Sequence, residues 1–459
     1  MNYDYLSVID EKKDLLDQTA DAIWATPELA FTEFASAKTL MDVLKQEGFE
    51  VEDDLAGIKT AFSGRFGSGK PVIGILGEFD ALSGLGQEAG CAVKCPDGRS
   101  NGQGCGHNLL GVGSLAAALA VKKYLQDSGA SGTVIYFGTP GEEGGSGKAF
   151  MARDHVFDEL DAAVCWHPGS VNEVRRNSSL ANYQIKFTFD GKASHASGAP
   201  AEGRSALDAL ELMNIGVQFL REHMPSNARI HYAITDAGGI SPNVVQPHAE
   251  ALYLIRSPKN AEVKALYERV VKIAQGAAMM TETEEHHEFI KACSNVVLND
   301  TLQREMQRIM EELTPPEPTE ADLAFGRELS EKSLNPEKVN LEQPYQWKVK
   351  PYPAAEGLGM GSTDTGDTSW VCPMVQMAGA TWCKGTPGHS WQVVAQGKTP
   401  FAHEVTRYAG KVMAATMVSV INDPELLQRA KAEHRERVGE AGYIPPIPEG
   451  VKPRAMVDM

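Results

Sequence analysis

Four short segments set potential metal ligands beside glycine or proline: Gly104-Cys-Gly-His-Asn108, Gly141-Glu-Glu-Gly144, Trp166-His-Pro168 and Gly385-Thr-Pro-Gly-His-Ser390. Thiolate, imidazole and carboxylate together suit zinc or a similar divalent ion. Cys105 and His107 can bind together only where the backbone turns, and the glycines around them permit that turn. The adjacent Glu142 and Glu143 fit two different jobs: one can bind metal while the other stays free as a general base for water. Two other readings compete. Cys91, Cys95, Cys105 and His107 could make a structural zinc site, although their spacing is irregular. Gly102-Gln-Gly-Cys-Gly106 could carry a cysteine-hydrolase nucleophile, which would leave both glutamates and His167 without a purpose. The remaining cysteines read as small buried apolar residues. His155, His223, His286, His287, His403 and His434 read as surface or core residues.

These segments need a scaffold that brings them together. Pro71-Val-Ile-Gly-Ile-Leu-Gly77, Thr133-Val-Ile-Tyr-Phe-Gly-Thr139 and Ala162-Ala-Val-Cys-Trp166 are continuous apolar runs, the pattern of strands buried on both faces. Each leads into polar residues: Glu78 and Asp80, then Glu142 and Glu143, then His167. Helical stretches (109–126 and 148–153) lie between them, and 374–378 reads as one more core strand. Strands alternating with helices predict an α/β fold with a mainly parallel sheet. Sites in such sheets form at the carboxyl ends of the strands. Two helices are expected in the first 50 residues, separated by Pro27. Gly64-x-x-Gly67-x-Gly69 precedes a strand instead of following one, so it reads as a turn and not a phosphate loop.

Near residue 181 the pattern changes to alternating polar and apolar residues, as in a sheet with one wet face. From there to about residue 295 the order is β-α-β-β-α-β, the ferredoxin-like pattern. The expected organisation is a catalytic domain in two parts, 1–181 and 296–459, with a small α+β domain at 182–295 inserted between them. Residues 314–350 read as an exposed connection plus a helix. The strand ends at 178–182 and 293–297 are where a hinge between the domains would lie.

The 459 residues carry a net charge of −18, which makes nucleic acid and anionic membrane surfaces poor partners. The N-terminal segment has no signal-peptide pattern, and the longest mainly apolar stretch, Leu109 to Val121, falls short of the roughly 20 residues of a membrane span. A cytoplasmic protein is expected.

Taken together the segments resemble the M20 family of metallopeptidases and amidohydrolases over nearly the whole chain. The branch they resemble most is the one containing the B subunit of p-aminobenzoyl-glutamate hydrolase. The stretches that carry the resemblance are Gly77-Glu-Phe-Asp-Ala-Leu82, Gly104-Cys-Gly-His-Asn-Leu-Leu-Gly111, Gly138-Thr-Pro-Gly-Glu-Glu-Gly-Gly145, Gly191-Lys-Ala-Ser-His-Ala196, Pro242-Asn-Val-Val245, Gly361-Ser-Thr-Asp-Thr-Gly-Asp367 and Gly385-Thr-Pro-Gly-His-Ser-Trp391.

The resemblance implies a catalytic domain holding one or two divalent ions per subunit, manganese or zinc, with the inserted domain serving as dimerisation domain and lid. It places Cys105, His107, Glu143, His167 and His389 on metal ligands, Glu142 on the general base, and Asp80 on an acidic position that orients a ligand or the metal pair. His195 falls on a small-domain histidine that helps hold the oxyanion, often supplied by the partner subunit. Asn243 and Arg256 fall where the substrate carboxylate is bound, a task that suits planar Arg. The chain departs from the wider family at Glu78, where a histidine is usual, and in its Cys-x-His arrangement, which belongs to the amidohydrolase branch.

The implied activity is hydrolysis of the amide bond of an N-acyl or N-aminoacyl amino acid resembling p-aminobenzoyl-glutamate. The alternatives are a dipeptidase of β-alanyl-lysine type and a subunit that needs a homologous partner for activity. The implied partners are a small amide or dipeptide substrate and a second subunit, in a homodimer or a heterodimer with a homologous chain.

Overall fold

The computed structural model describes residues 2–455. Val72–Gly77 and Gly132–Gly138 are buried along their whole length, and Ala162–Gly169 almost so. Val72–Gly77 lies between the other two and is parallel to both, and Met374–Ala380 adds in parallel on the far side of Ala162–Gly169. Ile73 and Ile75 face one core, and Val72 and Leu76 face another. This explains why these runs do not alternate: both faces are dry.

The four strands are the middle of an eight-stranded sheet. Glu50–Asp53 and Phe62–Ser68 extend it antiparallel at one edge. At the other, Val171–Val174 pairs antiparallel with Met374–Ala380, and Gln346–Val349 closes the sheet. From Val72–Gly77 the chain goes first to a neighbour on one side, then to one on the other. Such a switch of direction opens a crevice at the carboxyl ends of the strands.

Helix His107–Ser128 lies in one core and is buried on nearly every side, because it sits between the sheet and helix Pro400–Asn422. The two helices meet at small residues. A Cβ on Gly410 would stand 2.8 Å from that of Ala116 and 3.0 Å from the carbonyl oxygen of Gly113. Trp166 ties this helix to the sheet by donating from Nε1 to the Leu110 carbonyl at 2.9 Å.

Three expectations need correction. Gly64 and Gly67 do not form a turn but lie inside strand Phe62–Ser68; Gly64 leaves room for Leu44, whose Cδ1 would stand 2.9 Å from an added Cβ. The segment 314–350 holds the expected helix, Glu320–Ser333, closed at its start by a Thr319–Asp322 capping box, but its connection also supplies a strand of the large sheet, Gln346–Val349. Cys91 and Cys95 are not buried but partly exposed, unlike Cys165, Cys293, Cys372 and Cys383.

A second sheet of four strands, Ala181–Asp190, Arg229–Asp236, His248–Ser257 and Glu284–Cys293, is antiparallel throughout. In chain order its strands are arranged 4-1-3-2, with helices Ala206–Leu220 and Asn260–Thr281 packed on one face, the ferredoxin-like arrangement. Ile185, Phe187 and Phe189 face those helices while the residues between them are partly exposed. The two chain crossings between the sheets lie side by side. Ser178 Oγ donates to the Val296 carbonyl at 2.7 Å, and Val296 N–H donates to Ser179 Oγ at 3.2 Å. Among the described residues no helix is long and apolar enough to cross a membrane.

Candidate metal centre

The sequence-predicted ligands arrive from different elements at one edge of the large sheet. Asp80 follows strand Val72–Gly77, and Glu142 and Glu143 follow Gly132–Gly138. His167 lies within Ala162–Gly169, which continues two residues past it. His107 is the first residue of its helix. Gly106 before it has φ +77°, and a Cβ there would meet Pro168 at 3.0 Å. Only glycine gives both that left-handed turn and that close approach, which brings Cys105 and His107 beside His167. His389 also has a positive φ, +53°, uncommon for a non-glycine residue. Its N–H donates to the Gly104 carbonyl at 3.1 Å, holding the 385–390 loop against the Cys105 turn.

The donor atoms fall into three overlapping triads, each with its members within 4.8 Å of one another: Cys105, His107 and His167; Cys105, Glu143 and His389; His107, Glu142 and Glu143. Cys105 Sγ is 3.5 Å from His167 Nε2, and His389 Nε2 is 3.3 Å from Glu143 Oε1. Two donors on one tetrahedral ion, with bonds of about 2.0–2.3 Å, stand at about this spacing. The first two triads share the thiol, and their donors would suffice for two neighbouring ions.

Hydrogen bonds fix how the imidazoles present themselves. His107 Nδ1 faces Asp80 Oδ1 at 2.9 Å, and His167 Nδ1 faces the Pro168 carbonyl at 2.7 Å. Protons on both Nδ1 atoms leave both Nε2 atoms as lone-pair donors. The other Asp80 oxygen accepts the Glu143 N–H at 2.9 Å. His107 Nε2, Glu78 Oε2 and Glu143 Oε1 are buried without a hydrogen-bond partner. His107 and Glu143 also belong to the triads, and buried polar atoms left open there are what a cation would satisfy, so the donor set fits a divalent metal.

The electrostatics agree. Burial, and then the Glu143 carboxylate, push the Cys105 thiol well above its ordinary value. A cysteine nucleophile needs the opposite shift, so the thiol–imidazole pair does not favour a cysteine hydrolase. Burial, with His107 adding to it, lowers His167 to about 4, so its ring is neutral and ready to bind. Burial, and then Glu78 and Glu143, push Glu142 well above the usual carboxylate range. Burial would raise Glu143 too, but His389 and His107 outweigh it and hold that carboxyl at about 2. Two adjacent carboxylates are thus driven apart, one toward the proton and one toward the charge.

A buried ion cluster beneath the site was missed by the sequence reading. Lys148, fully buried, stands 2.7 Å from Glu78 and 2.6 Å from Asp364, and Glu78 is 3.2 Å from His107 Nε2. The available signal was a lone lysine in the apolar helix Gly147–Arg153. The zinc reading that joined Cys91 and Cys95 to Cys105 and His107 does not match the structure: Cys91 and Cys95 group with Glu88 instead.

The remaining three candidates lie on the smaller sheet and its loops. Among the described residues no hydrogen bond or ion pair joins them to the centre. His195 is exposed, and its Nδ1 accepts from the N–H groups of Ser197 at 3.3 Å and Gly198 at 3.0 Å. Asn243 is a neighbour; its carbonyl accepts the Ala196 N–H at 2.9 Å. Arg256 lies near the end of strand His248–Ser257 with Nη1 3.3 Å from Ser362 Oγ and its Nε buried and unpaired.

The model of the peptidase dimerisation domain matches residues 177–279. The chain is 45% identical over 456 residues to the B subunit of p-aminobenzoyl-glutamate hydrolase from Escherichia coli (strain K12), covering 95% of each chain. It is 28% identical to Xaa-Arg dipeptidase of Mus musculus, covering 94% of this chain and 91% of the relative. The fold is also that of the Bacillus subtilis YXEP protein, described as a dinuclear metal binding peptidase from the M20 family. That likeness has a TM-score of 0.58 at 17% identity, over 90% of this chain and 99% of the other.

Proposed function

The chain belongs to the M20 family of metal-dependent amide hydrolases, in the branch of the p-aminobenzoyl-glutamate hydrolase B subunit, and we propose that it cleaves an N-acyl or N-aminoacyl amino acid of the p-aminobenzoyl-glutamate kind. The observation that carries this reading is the pair of donor triads sharing Cys105, with Glu142 beside them. On this reading Cys105, His107 and His167 hold one ion, and Cys105, Glu143 and His389 a second. A thiolate among the donors favours zinc over manganese.

Ions held by these residues would supply Lewis acidity toward the amide carbonyl and toward water. Glu142 accepts the proton of the attacking water and returns it to the leaving nitrogen. Its raised proton affinity suits both halves of that task. Asp80 keeps the proton of His107 on Nδ1 and so keeps Nε2 directed at the centre. His195 serves from the smaller domain. Two backbone N–H groups hold its Nδ1 as acceptor, which leaves the proton on Nε2 to be donated to the oxygen that gains charge. Asn243 and Arg256 take the substrate carboxylate, and the open Nε of Arg256 supports that role. The domain limits that go with this are 1–181 and 296–459 for the catalytic part and 182–295 for the inserted part, whose closure carries His195 to the centre.

A second subunit fits the same reading. Ile215 and Phe219 on one helix of the smaller domain and Met279 and Met280 at the end of the other are exposed apolar residues, 53%, 71%, 81% and 67% accessible. Arg229–Asp236 is an edge strand of the same domain's sheet. This face suits a second copy or a homologous chain. A cytoplasmic location suits the seven unpaired cysteines.

The test is to strip the protein, reload it with zinc or manganese, and assay it alone and with a homologous partner subunit. The substrates are p-aminobenzoyl-glutamate, other N-acyl amino acids, and dipeptides ending in a basic residue. Faster release of glutamate than of the basic residue is expected. Turnover that survives chelation would refute the metal reading, and preference for the dipeptides would favour the alternative suggested by the Xaa-Arg relative.

A further inference from the structure

The loop 84–100 joins the short paired strands Leu82–Ser83 and Asn101–Gly102, the second of which ends three residues before Cys105. It takes no part in the chemistry above, yet it is tightly built. Glu88 N–H donates to the Cys95 carbonyl at 2.9 Å. The Gln87 side chain spans the loop, accepting the Cys95 N–H at 2.8 Å and donating to the Val93 carbonyl at 3.0 Å. Gly90 N–H is anchored on the Ala395 carbonyl, and the Ala92 carbonyl on Ser333. Within this frame the sulfurs of Cys91 and Cys95 stand 2.7 Å apart, both partly exposed.

We propose that Cys91 and Cys95 are a modification site, a dithiol that closes to a disulfide within the loop by exchange with a low-molecular-weight disulfide of the glutathione class. The sulfur spacing lies nearer to a disulfide than to a metal site shared with Glu88. From 2.7 Å the sulfurs must approach by about 0.7 Å to reach a bond of about 2.05 Å. To share a tetrahedral zinc with bonds of about 2.3 Å they must instead part by about 1 Å. In the exchange one thiolate attacks the small disulfide and expels a thiolate, forming a mixed disulfide. The second cysteine attacks the protein sulfur of that bond and expels the other half. The protein loses two electrons and the small disulfide gains them, and the two protons end on two small thiols.

The metal-loaded protein is equilibrated in glutathione buffers of stepped ratio, quenched with an alkylating agent and digested. Trypsin cuts after Lys94, between the two cysteines, so a bridge leaves the peptide ending in Lys94 joined to Cys95–Arg99. The expected result is joint loss of both thiols in one two-electron transition, with the joined peptides present and the mass lower by two hydrogens. Cys91→Ser and Cys95→Ser should each leave one thiol that takes up a single glutathione. Two thiols that titrate independently as mixed disulfides would overturn the proposal. So would a thiophilic ion seen by native mass spectrometry that shields both thiols and is lost in either variant.

Discussion

Asp80 and His107 meet at 2.9 Å in a fully buried contact, and that contact decides which nitrogen of the imidazole is left bare. The same carboxylate accepts the Glu143 N–H through its other oxygen, so one side chain sets two neighbours of the centre at once. An amide has one accepting oxygen and cannot do both.

Asp80→Asn should therefore loosen the centre while leaving every proposed ligand in place. Metal affinity should fall about 10–100-fold, the usual effect of losing such an outer partner. Competition with a chelator of known affinity reads it. Unchanged affinity would mean that His107 is held by other contacts.

Glu142→Gln keeps the size of the side chain and removes its proton chemistry. Metal content should stay the same, and turnover should fall by roughly 10²–10⁴. Elemental analysis beside steady-state kinetics separates the two effects. Near-normal turnover would remove Glu142 from the base role.

Metal uptake should release protons. Burial and Glu143 keep the Cys105 thiol protonated near neutrality. Burial works against a charged His107, but the Asp80 carboxylate 2.9 Å from its Nδ1 opposes that and raises the ring's hold on its proton. Ligands bind in their deprotonated forms, so binding expels these protons and affinity rises with pH. Calorimetry in buffers of different ionisation enthalpy should show net release near neutral pH, reduced in Cys105→Ser. A heat independent of the buffer would contradict the arrangement.

Much of this site is legible in the sequence because the chemistry sits at punctuation. Buried strands announce themselves as unbroken apolar runs, and Glu142, Glu143 and His167 sit at or beside the end of one. Gly106 marks the turn at Cys105 and His107. What does not show is what long-range burial creates. Lys148 looks like any lysine until Glu78 and Asp364, 70 and 216 positions away, close around it. The strand at Phe62–Ser68 is hidden because Gly64 serves close packing against Leu44, not a turn. Likewise nothing local tells that 346–349 pairs with a strand some 175 residues earlier.

His195→Ala should lower kcat by about 10²–10³, the common effect of one oxyanion donor. Metal content should not change, since His195 touches none of the proposed ligands. An effect confined to KM would assign His195 to ground-state binding instead.

The last prediction concerns stability and the join between the domains. Asp367 is fully buried, accepts the Ser294 N–H at 2.9 Å and its hydroxyl at 2.7 Å, and accepts the Tyr443 hydroxyl at 2.8 Å. Ser294 directly follows the last strand of the smaller sheet. Burial raises this carboxyl from 3.8 to about 7, with Asp364 adding and the hydrogen bonds only partly opposing. The folded state thus holds the proton more tightly than the unfolded chain does. The contribution to stability is complete below pH 3.8, shrinks as pH rises toward about 7, and is flat above. Each pH step of one between those limits is worth roughly 1.4 kcal/mol, so the whole change is at most about 4 kcal/mol. Asp367→Asn removes the titration and one acceptor. Its deficit in urea midpoint against the parent, measured at fixed metal content, should be largest near pH 4 and narrow as pH approaches about 7. A deficit independent of pH would show that Asp367 is ionised throughout and that its hydrogen bonds outweigh its burial.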